Sequence, residues 1–498
     1  MEKAGGIRMV TSNLAHKKTT PIEPEIAINE NPVKWCTVAL SDVVARGKRL
    51  EASVFDVEAK QARSLIIKGK YSPCSLAGTD GMASSYVGGR FKRIWVKKSD
   101  MPIYQPSSIT DIKPMPDGYI SSKTATNIDA LRVKENQILL TCSGTIGKVS
   151  FVSRTLANKI FSHDLLRIDC KNPNEAGYVY AFLKSKIGSK ILLTNSYGAV
   201  ITHIEPEHLT AVPIPNAPTI LKRKIHNLIV RSYNLRDESN ELIDQATTLL
   251  VSELKLPAIN EFDVSYYKKT ASVDTFNIKL SEMAGRLDAS YHVPIVDAII
   301  EHLKQHAKEV TTVGDSRISQ EVILPGRFKR VYVDEGNGKI LIGGKQIGEL
   351  DPSSKKYLSS TKHDKILKNL EVHEGTTLIT RSGTIGKIAL VPKHWEHYIP
   401  SDHIIRIVPA NANIAGYLNI FLASDYGKTL ITRFTYGSVV DEIDDNHVRQ
   451  ISIPLLKNCE IQQKINDLAL EANEKRYEAY LLEQEALNVM DKEVIYAH

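Results

Sequence analysis

Apolar positions along this chain fall into two kinds of pattern, and each kind occurs twice. From Leu221, apolar or small residues recur at Ile225, Leu228, Ser232, Leu235, Ser239, Leu242, Ala246 and Leu249, in alternating steps of four and three. That alternation is the heptad seam of helices packing along their length. Pro213, Pro215 and Pro218 precede the stretch and Pro257 closes it, as helix boundaries do. After Pro454 the same alternation runs through Ile461, Ile465, Leu468, Ala472, Lys475, Ala479, Leu482, Ala486 and Val489. Two ordinary core helices would satisfy the period too; the sustained register in both stretches favours two long helices packed on each other. At ~1.5 Å per residue, helices of roughly 30 to 38 residues span about 45 to 55 Å, enough to hold two globular heads apart. Elsewhere the pattern changes to short apolar runs at Ile138–Leu140, Val149–Val152 and Leu165–Ile168, and again at Leu378–Thr380, Ile388–Val391 and Ile404–Ile407. Glycine-rich turns separate these runs, which predicts strands. One helix is predicted after each set, over Tyr178–Leu193 and Tyr417–Thr432.

The doubling extends to the residues themselves. LLTCSGTIGKVSFV from Leu139 is matched by LITRSGTIGKIALV from Leu378, an offset of 378 − 139 = 239. GRFKRIWV from Gly89 faces GRFKRVYV from Gly326, at 326 − 89 = 237, and KRLEAS from Lys48 faces GRLDAS from Gly285, at 285 − 48 = 237. An ungapped match then starts at Gly177 and Gly416, at 416 − 177 = 239. It runs through the Tyr-Gly elements SYGAVITHIEPEHL and TYGSVVDEIDDNHV into VPIP and ISIP. Four ordered matches at nearly constant offset exclude chance, and a period near 240 is too long for a solenoid unit. The chain therefore reads as an α+β protein with a pseudo-two-fold internal repeat. Its expected parts are an extension (1–30), a mixed α/β domain (31–217), a central long helix (218–257), a second such domain (258–456) and a distal long helix (457–498).

Composition changes this picture only slightly. In 498 residues, 42% are hydrophobic, which suits globular cores, and 64 Lys+Arg against 57 Asp+Glu give a net charge of +7. That excess permits a nucleic-acid partner without requiring one. The five cysteines, Cys36, Cys74, Cys142, Cys170 and Cys459, are odd in number and form no CxxC pair, so neither a disulfide framework nor a zinc ribbon is expected. The first twenty residues lack a signal-peptide core, and no apolar run approaches the roughly 18 residues of a membrane span; a soluble, intracellular protein is expected.

Catalytic patterns are missing. A Walker loop needs a glycine five positions before the Gly-Lys pair and Ser or Thr after it. Cys142 and Val149 stand there in one copy, and Arg381 and Ile388 in the other. The alternative is a tight turn between strands, whose glycines let backbone approach a ligand. No HExxH, GxSxG or strand-borne GxGxxG occurs, and no Asn/Asp-Pro-Pro-aromatic run of an amino-methyltransferase. His394, Trp395, Glu396 and His397 sit in a turn-like segment, VPKHWEHYIP, and no metal site is read there. His163-Asp164 becomes Asp402-His403 in the second copy, a transposition that argues against a shared catalytic dyad.

The order and duplication of these elements, with GRLDASY from Gly285 to Tyr291 at the start of the second domain, resemble the specificity subunit (HsdS family) of type I restriction-modification systems. The resemblance implies two target-recognition domains, each reading one half of a bipartite site in double-stranded DNA. The long helices would form an antiparallel coiled coil that sets the spacing and docks methyltransferase subunits, two of them, with restriction–translocase subunits beyond. The chain would be non-catalytic, cytoplasmic, free of membrane contact and without a cofactor of its own. S-adenosylmethionine, ATP and Mg²⁺ would belong to the partner subunits.

Expected DNA contacts in the first copy are Arg90, Lys92, Arg93, Lys97, Lys98, Ser143, Thr145, Lys148 and Tyr197. In the second copy they are Arg327, Lys329, Arg330, Arg381, Ser382, Thr384, Lys387 and Tyr436. The recurring GRFKR patches, interleaved with Phe91, Trp95, Phe328 and Tyr332, would supply phosphate contacts; a solvated strand face would look similar. Phosphate contacts position and base contacts specify, so base reading is expected where the copies differ. Such places are Cys142 against Arg381, and the segments Tyr104–Asp117 and Gly343–Lys356. Arg381 could pair bidentately with guanine, worth about 1–3 kcal/mol of discrimination. A standalone DNA-binding protein and a protein-interaction scaffold are the alternatives. The first would bind its site without a methyltransferase, and the second would show no salt-sensitive DNA affinity.

Overall fold

The computed structural model describes residues 37–45, 48, 50–197, 202–262, 268–270, 273–437 and 439–497. The expected extension at 1–30 lies outside these residues, as do Arg49 of KRLEAS and positions 198–201 of the first Tyr-Gly element. The chain divides into two compact units, Met1–Val57 and Glu58–His498. In the first, a short helix covers Leu40–Ala45 and a 3-10 turn covers Ala52–Phe55. The second holds two mixed α/β heads and two long helices.

Each head contains two four-stranded sheets with the same strand order in both copies. In the first head the larger sheet runs Ala83–Val87, Leu165–Cys170, Ile138–Thr141, Val149–Phe151. In the second it runs Ser319–Ile323, Ile404–Pro409, Thr377–Thr380, Ile388–Leu390. Registers agree as well: Leu140 pairs with Val149 and Ile379 with Ile388. The inner strands Ile138–Thr141 and Thr377–Thr380 are buried at every position, which explains their continuous apolar run. The smaller sheet runs Trp95–Val96, Gly118–Ile120, Pro102–Tyr104, Ile160–Phe161 in the first head. Its counterpart runs Tyr332–Val333, Lys356–Ser359, Gly338–Ile342, Ile399–Pro400. Trp95 and Tyr332 thus lie on equivalent edge strands. The GRFKR segments before them have no regular structure, where the sequence pattern suggested strand.

The single helix expected after each sheet is broken in two. Ala176–Lys184 is followed by Lys186–Leu193, and Ala412–Ala423 by Asp425–Thr432. Ser185 and Ser424 are extended at the break, and their hydroxyls accept from the amides of Gly188 and Gly427 as N-caps. The chain folds back so tightly that a Cβ on Gly188 would come within 1.9 Å of the Phe182 carbonyl oxygen. On Gly427 it would come within 2.2 Å of the Phe421 oxygen.

The central helix covers Thr219–Glu253, 35 residues, and the distal helix Cys459–Val489, 31 residues. At ~1.5 Å per residue they are about 52 and 46 Å long. They are antiparallel: Lys224 pairs with Glu493 just beyond the distal helix at 2.8 Å, Ser232 Oγ donates to Ala479 O at 2.6 Å, and Lys475 pairs with Glu238 at 2.9 Å. Ser232, Ser239, Ala246, Ala472, Ala479 and Ala486 of the seam are buried, and their small side chains let the backbones approach. A second stripe on each helix faces a head. His226 Nδ1 accepts from the Gly177 amide at 3.1 Å, and Asn466 Oδ1, its counterpart, accepts from the Gly416 amide at 2.9 Å.

The heads also touch each other. Asp111 and Glu349 face one another in an isolated antiparallel bridge, and Ile112 N donates to Gly348 O at 2.8 Å. The helix pair therefore does not hold the heads wholly apart, and the expectation of separated heads is corrected accordingly. Hydrogen bonding is the reason: a loop amide of the first head finds its acceptor on a loop of the second. No helix among the described residues is long and apolar enough to cross a membrane.

Candidate nucleic-acid interface

The SGTIGK segment is a turn, closed in the same way in both heads. Thr141 N donates to Lys148 O at 2.9 Å, Gly147 N to Thr141 O at 3.1 Å, and Lys148 N to Thr141 Oγ1 at 2.9 Å. In the second head Thr380, Gly386 and Lys387 make the same three bonds at 3.0, 3.1 and 2.9 Å. Gly144 and Gly147, like Gly383 and Gly386, have positive φ, which only glycine adopts freely. Thr145 and Thr384 are exposed on the turn, with Ser143 and Ser382 half-buried behind them.

Tertiary structure places the Tyr-Gly element against this turn. Tyr197 and His203 exchange backbone bonds at 2.9 and 2.7 Å, and Ile204 N donates to Cys142 O at 3.0 Å. In the second head Tyr436 and Glu442 exchange bonds at the same two lengths, and Ile443 N donates to Arg381 O at 2.9 Å. Tyr436, Val439 and Val440 are exposed, so an aromatic and aliphatic tip stands beside the turn.

The GRFKR segment joins the same surface through the transposed His/Asp pair. In the first head Phe91 packs on His163 with ring centroids 6.2 Å apart. The His163 pKa is lowered, chiefly by burial and then by the cations Arg93, Arg90 and Arg167, against the pull of Asp164. Arg90 also lies near enough to Tyr197 to act on its hydroxyl. Arg90, Lys92, Lys97 and Lys98 are exposed and, among the described residues, form no ion pair. Trp95 beside them is 52% exposed. Arg93 is half-buried, 5.8 and 6.0 Å from the Phe91 and Trp95 ring centres.

In the second head Arg327 and Arg330 both pair with Asp402. The neighbouring His403 Nδ1 bonds Ser382 Oγ at 2.6 Å. Lys329 is exposed, and Tyr332 is half exposed beneath Lys356 at 5.7 Å. The first surface is thus the more cationic, because Asp402 neutralises part of the second.

Three expected contacts lie elsewhere. Lys148 Nζ bonds Glu349 Oε1 at 2.9 Å, and Lys387 Nζ bonds Asp111 Oδ2 at 3.0 Å. Each turn lysine thereby crosses to the opposite head, and neither ammonium faces outward with the turn. Arg381 is buried; its Nε donates to Ile443 O at 2.9 Å and its Nη2 pairs with Glu442 at 2.5 Å. A guanidinium held this way cannot reach a base edge, and Cys142 at the equivalent position is a buried thiol, pushed up to about 11 chiefly by burial.

The variable segments Tyr104–Asp117 and Gly343–Lys356 contribute to the head-to-head contact. Thr110 Oγ1 donates to Glu349 Oε1 at 2.7 Å, and Ile112 N to Gly348 O at 2.8 Å. Sequence reasoning also missed His203, Glu442, Val439 and Val440 as members of the surface; the recurrence of the Tyr-Gly element was the available signal.

Residues 346–469 match the protein family described as the type I restriction modification DNA specificity domain. Their repeat counterparts lie 239 residues earlier, within the first head and its helix. No curated protein matches the chain. Among solved structures it is similar to the S subunit of a type I restriction-modification system from M. genitalium, with 14% identity, 82% of this chain and 91% of that chain covered, and a TM-score of 0.27. A chain from a study of complex assembly and conformational transition of the type I R-M system gives 12% identity, 84% and 98% coverage, and a TM-score of 0.27. The HsdS subunit from Thermoanaerobacter tengcongensis gives 12%, 87% and 100%, and 0.26. The match to the DNA specificity domain thus covers most of the second head and part of its helix, and the strand order of that head is repeated in the first.

Proposed function

We propose that this chain reads a bipartite duplex DNA target, one half-site per head, and docks two adenine methyltransferase subunits together with restriction–translocase subunits. One observation carries the reading. The same composite surface occurs twice: an exposed ring on an edge strand (Trp95, Tyr332), cations beside it, the exposed Thr of the turn and the Tyr-Gly element. The two copies are related by a pseudo-two-fold through an antiparallel helix pair. Such symmetry in a protein calls for two recognition elements at fixed spacing on DNA. Lys and Arg on this surface would contact phosphate and bring strong salt dependence, while the turn and the Tyr-Gly tip would approach the bases. S-adenosylmethionine would be held by the methyltransferase subunits, and ATP and Mg²⁺ by the restriction subunits.

Mapping methylated adenines across the genome with and without this gene tests the reading. Loss of one two-part motif supports it, and an unchanged methylation pattern overturns it. Spacing is tested by inserting one heptad into both helices, which lengthens the pair by about 10 Å. The preferred gap should grow by roughly three base pairs at ~3.4 Å each.

A further inference from the structure

Outside the recognition surface, the second head carries a cluster with no counterpart in the first. His373, Glu396 and His397 each offer one ligand atom, and these atoms all lie within 4.8 Å of one another. The backbone fixes their approach: His397 N donates to Val372 O at 2.9 Å, and Val372 N to Tyr398 O at 3.0 Å. The first head has the same bridge, Asn158 N to Val133 O at 2.9 Å and Val133 N to Lys159 O at 3.1 Å. There the equivalent side chains are Lys134, Ala157 and Asn158, and no ligand set results.

Two further features separate this cluster from a chance grouping. First, His397 has φ 65°, in the left-handed region. Asn158 has the same φ, and asparagine suits that region. A histidine bears more strain there. Second, the His397 imidazole is held through Nδ1 by a carboxylate outside the set, Glu371 at 2.5 Å, while His373 Nδ1 and Glu396, both within it, already lie 2.5 Å apart. Metal-ligating histidines are commonly oriented by such a carboxylate, which fixes the tautomer and leaves the other nitrogen as donor. Both imidazoles are more than half exposed, so an ion has access. A tetrahedral zinc site holds nitrogen and oxygen donors at about 2.0–2.2 Å, which places them roughly 3.4 Å apart. Binding would draw these groups, now within 4.8 Å of one another, in to that distance by side-chain rotation.

We infer that His373, Glu396 and His397 form a divalent transition-metal site, of zinc type, with water completing the coordination. The ion would pin the turn after Lys393–Trp395 to the segment after Ser360–Leu370, stiffening one side of the second head only.

Titration of the untagged full chain with Zn²⁺ by calorimetry, and with Co²⁺ by visible absorption, tests this. One equivalent of Zn²⁺, a Co²⁺ spectrum of low-symmetry coordination and a rise in Tm are expected. His397→Asn restores the first head's residue at the same φ, so it should fold; it should abolish the site. His373→Ala should do the same, and Glu371→Gln should weaken binding about 10-fold or more through the lost orientation of His397. His302 and His306, stacked at 4.1 Å on one helix, are the competing site, and His302→Ala is the control. Absence of binding to the wild-type chain overturns the inference. So does binding that survives His397→Asn, or that is lost in His302→Ala.

Discussion

Arg381 shows how position in space decides what a charged residue does. Its guanidinium is 9% exposed and engaged by Glu442 and the Ile443 carbonyl. Arg381→Ala should cost roughly 1–3 kcal/mol by leaving a charged hydrogen-bond partner unsatisfied. It should not alter base preference. Thermal melting together with binding to a panel of half-site variants checks both, and a shifted preference with unchanged Tm would refute the placement. Arg90, Lys97 and Lys98 stand in the opposite situation, exposed and unpaired among the described residues. Replacing all three by Ala should weaken DNA binding across all sequences. It should lower the slope of log K against log salt by about 0.9 per lost phosphate contact, as anisotropy titrations at several salt concentrations would read.

At the scale of elements, the long helices are tied to the first head by a buried charge cluster. Glu483 of the distal helix is fully buried and meets Lys184 at 2.8 Å, Tyr180 at 2.5 Å and Arg236 of the central helix at 3.0 Å. Burial alone would raise its pKa; Arg236 and Lys184 outweigh it and hold the carboxyl down at about 2. A depressed folded pKa means stability that is fully present above the ordinary value near 4.5 and lost as pH falls toward about 2. Glu483→Gln should therefore flatten the acid limb of a stability-against-pH curve over that window. At neutral pH it should cost about 3–5 kcal/mol, since two cations are left buried without their partner. Denaturant titrations at a series of pH values would show both effects. The second head lacks this cluster: Asn419 and Ala423 stand where Tyr180 and Lys184 do, and burial lowers Arg476, the equivalent of Arg236, to about 10. The helix breaks make a second prediction at this scale. Gly188→Ala and Gly427→Ala should both destabilise their heads, because each Cβ would meet a carbonyl oxygen inside van der Waals contact.

For the whole molecule, the exchange of ion pairs between heads is the consequential feature. Lys148 reaches Glu349 and Lys387 reaches Asp111, all four at most about a quarter exposed. Spacing between the heads is then fixed by the helix pair and by this contact together. Reversing both acids, Asp111→Lys with Glu349→Lys, places like charges at the bridge and should open it. Small-angle scattering should show a larger radius of gyration, and site selection should show a looser preference for spacer length. An unchanged radius of gyration would mean that the helices alone fix the spacing.

Sequence by itself determined the duplication, the heptad seams and the strand runs, because periodicity and repetition are properties of one dimension. The resemblance to type I specificity subunits, too, was legible from the order of SGTIGK, the Tyr-Gly element and the helix that follows each. What only the tertiary structure decided was the direction of particular side chains. Lys148 and Lys387 looked like phosphate ligands beside glycines, yet burial at a head-to-head contact offered them carboxylates first. Arg381 differed between copies as a base-reading residue would, but its difference is matched by Glu442, 61 residues away. The helix break at Ser185 and Gly188 follows local rules, and the Ser-x-x-Gly spacing was visible beneath a continuous apolar period. Partners distant in sequence leave no periodic trace, and such partners set the position of each charge.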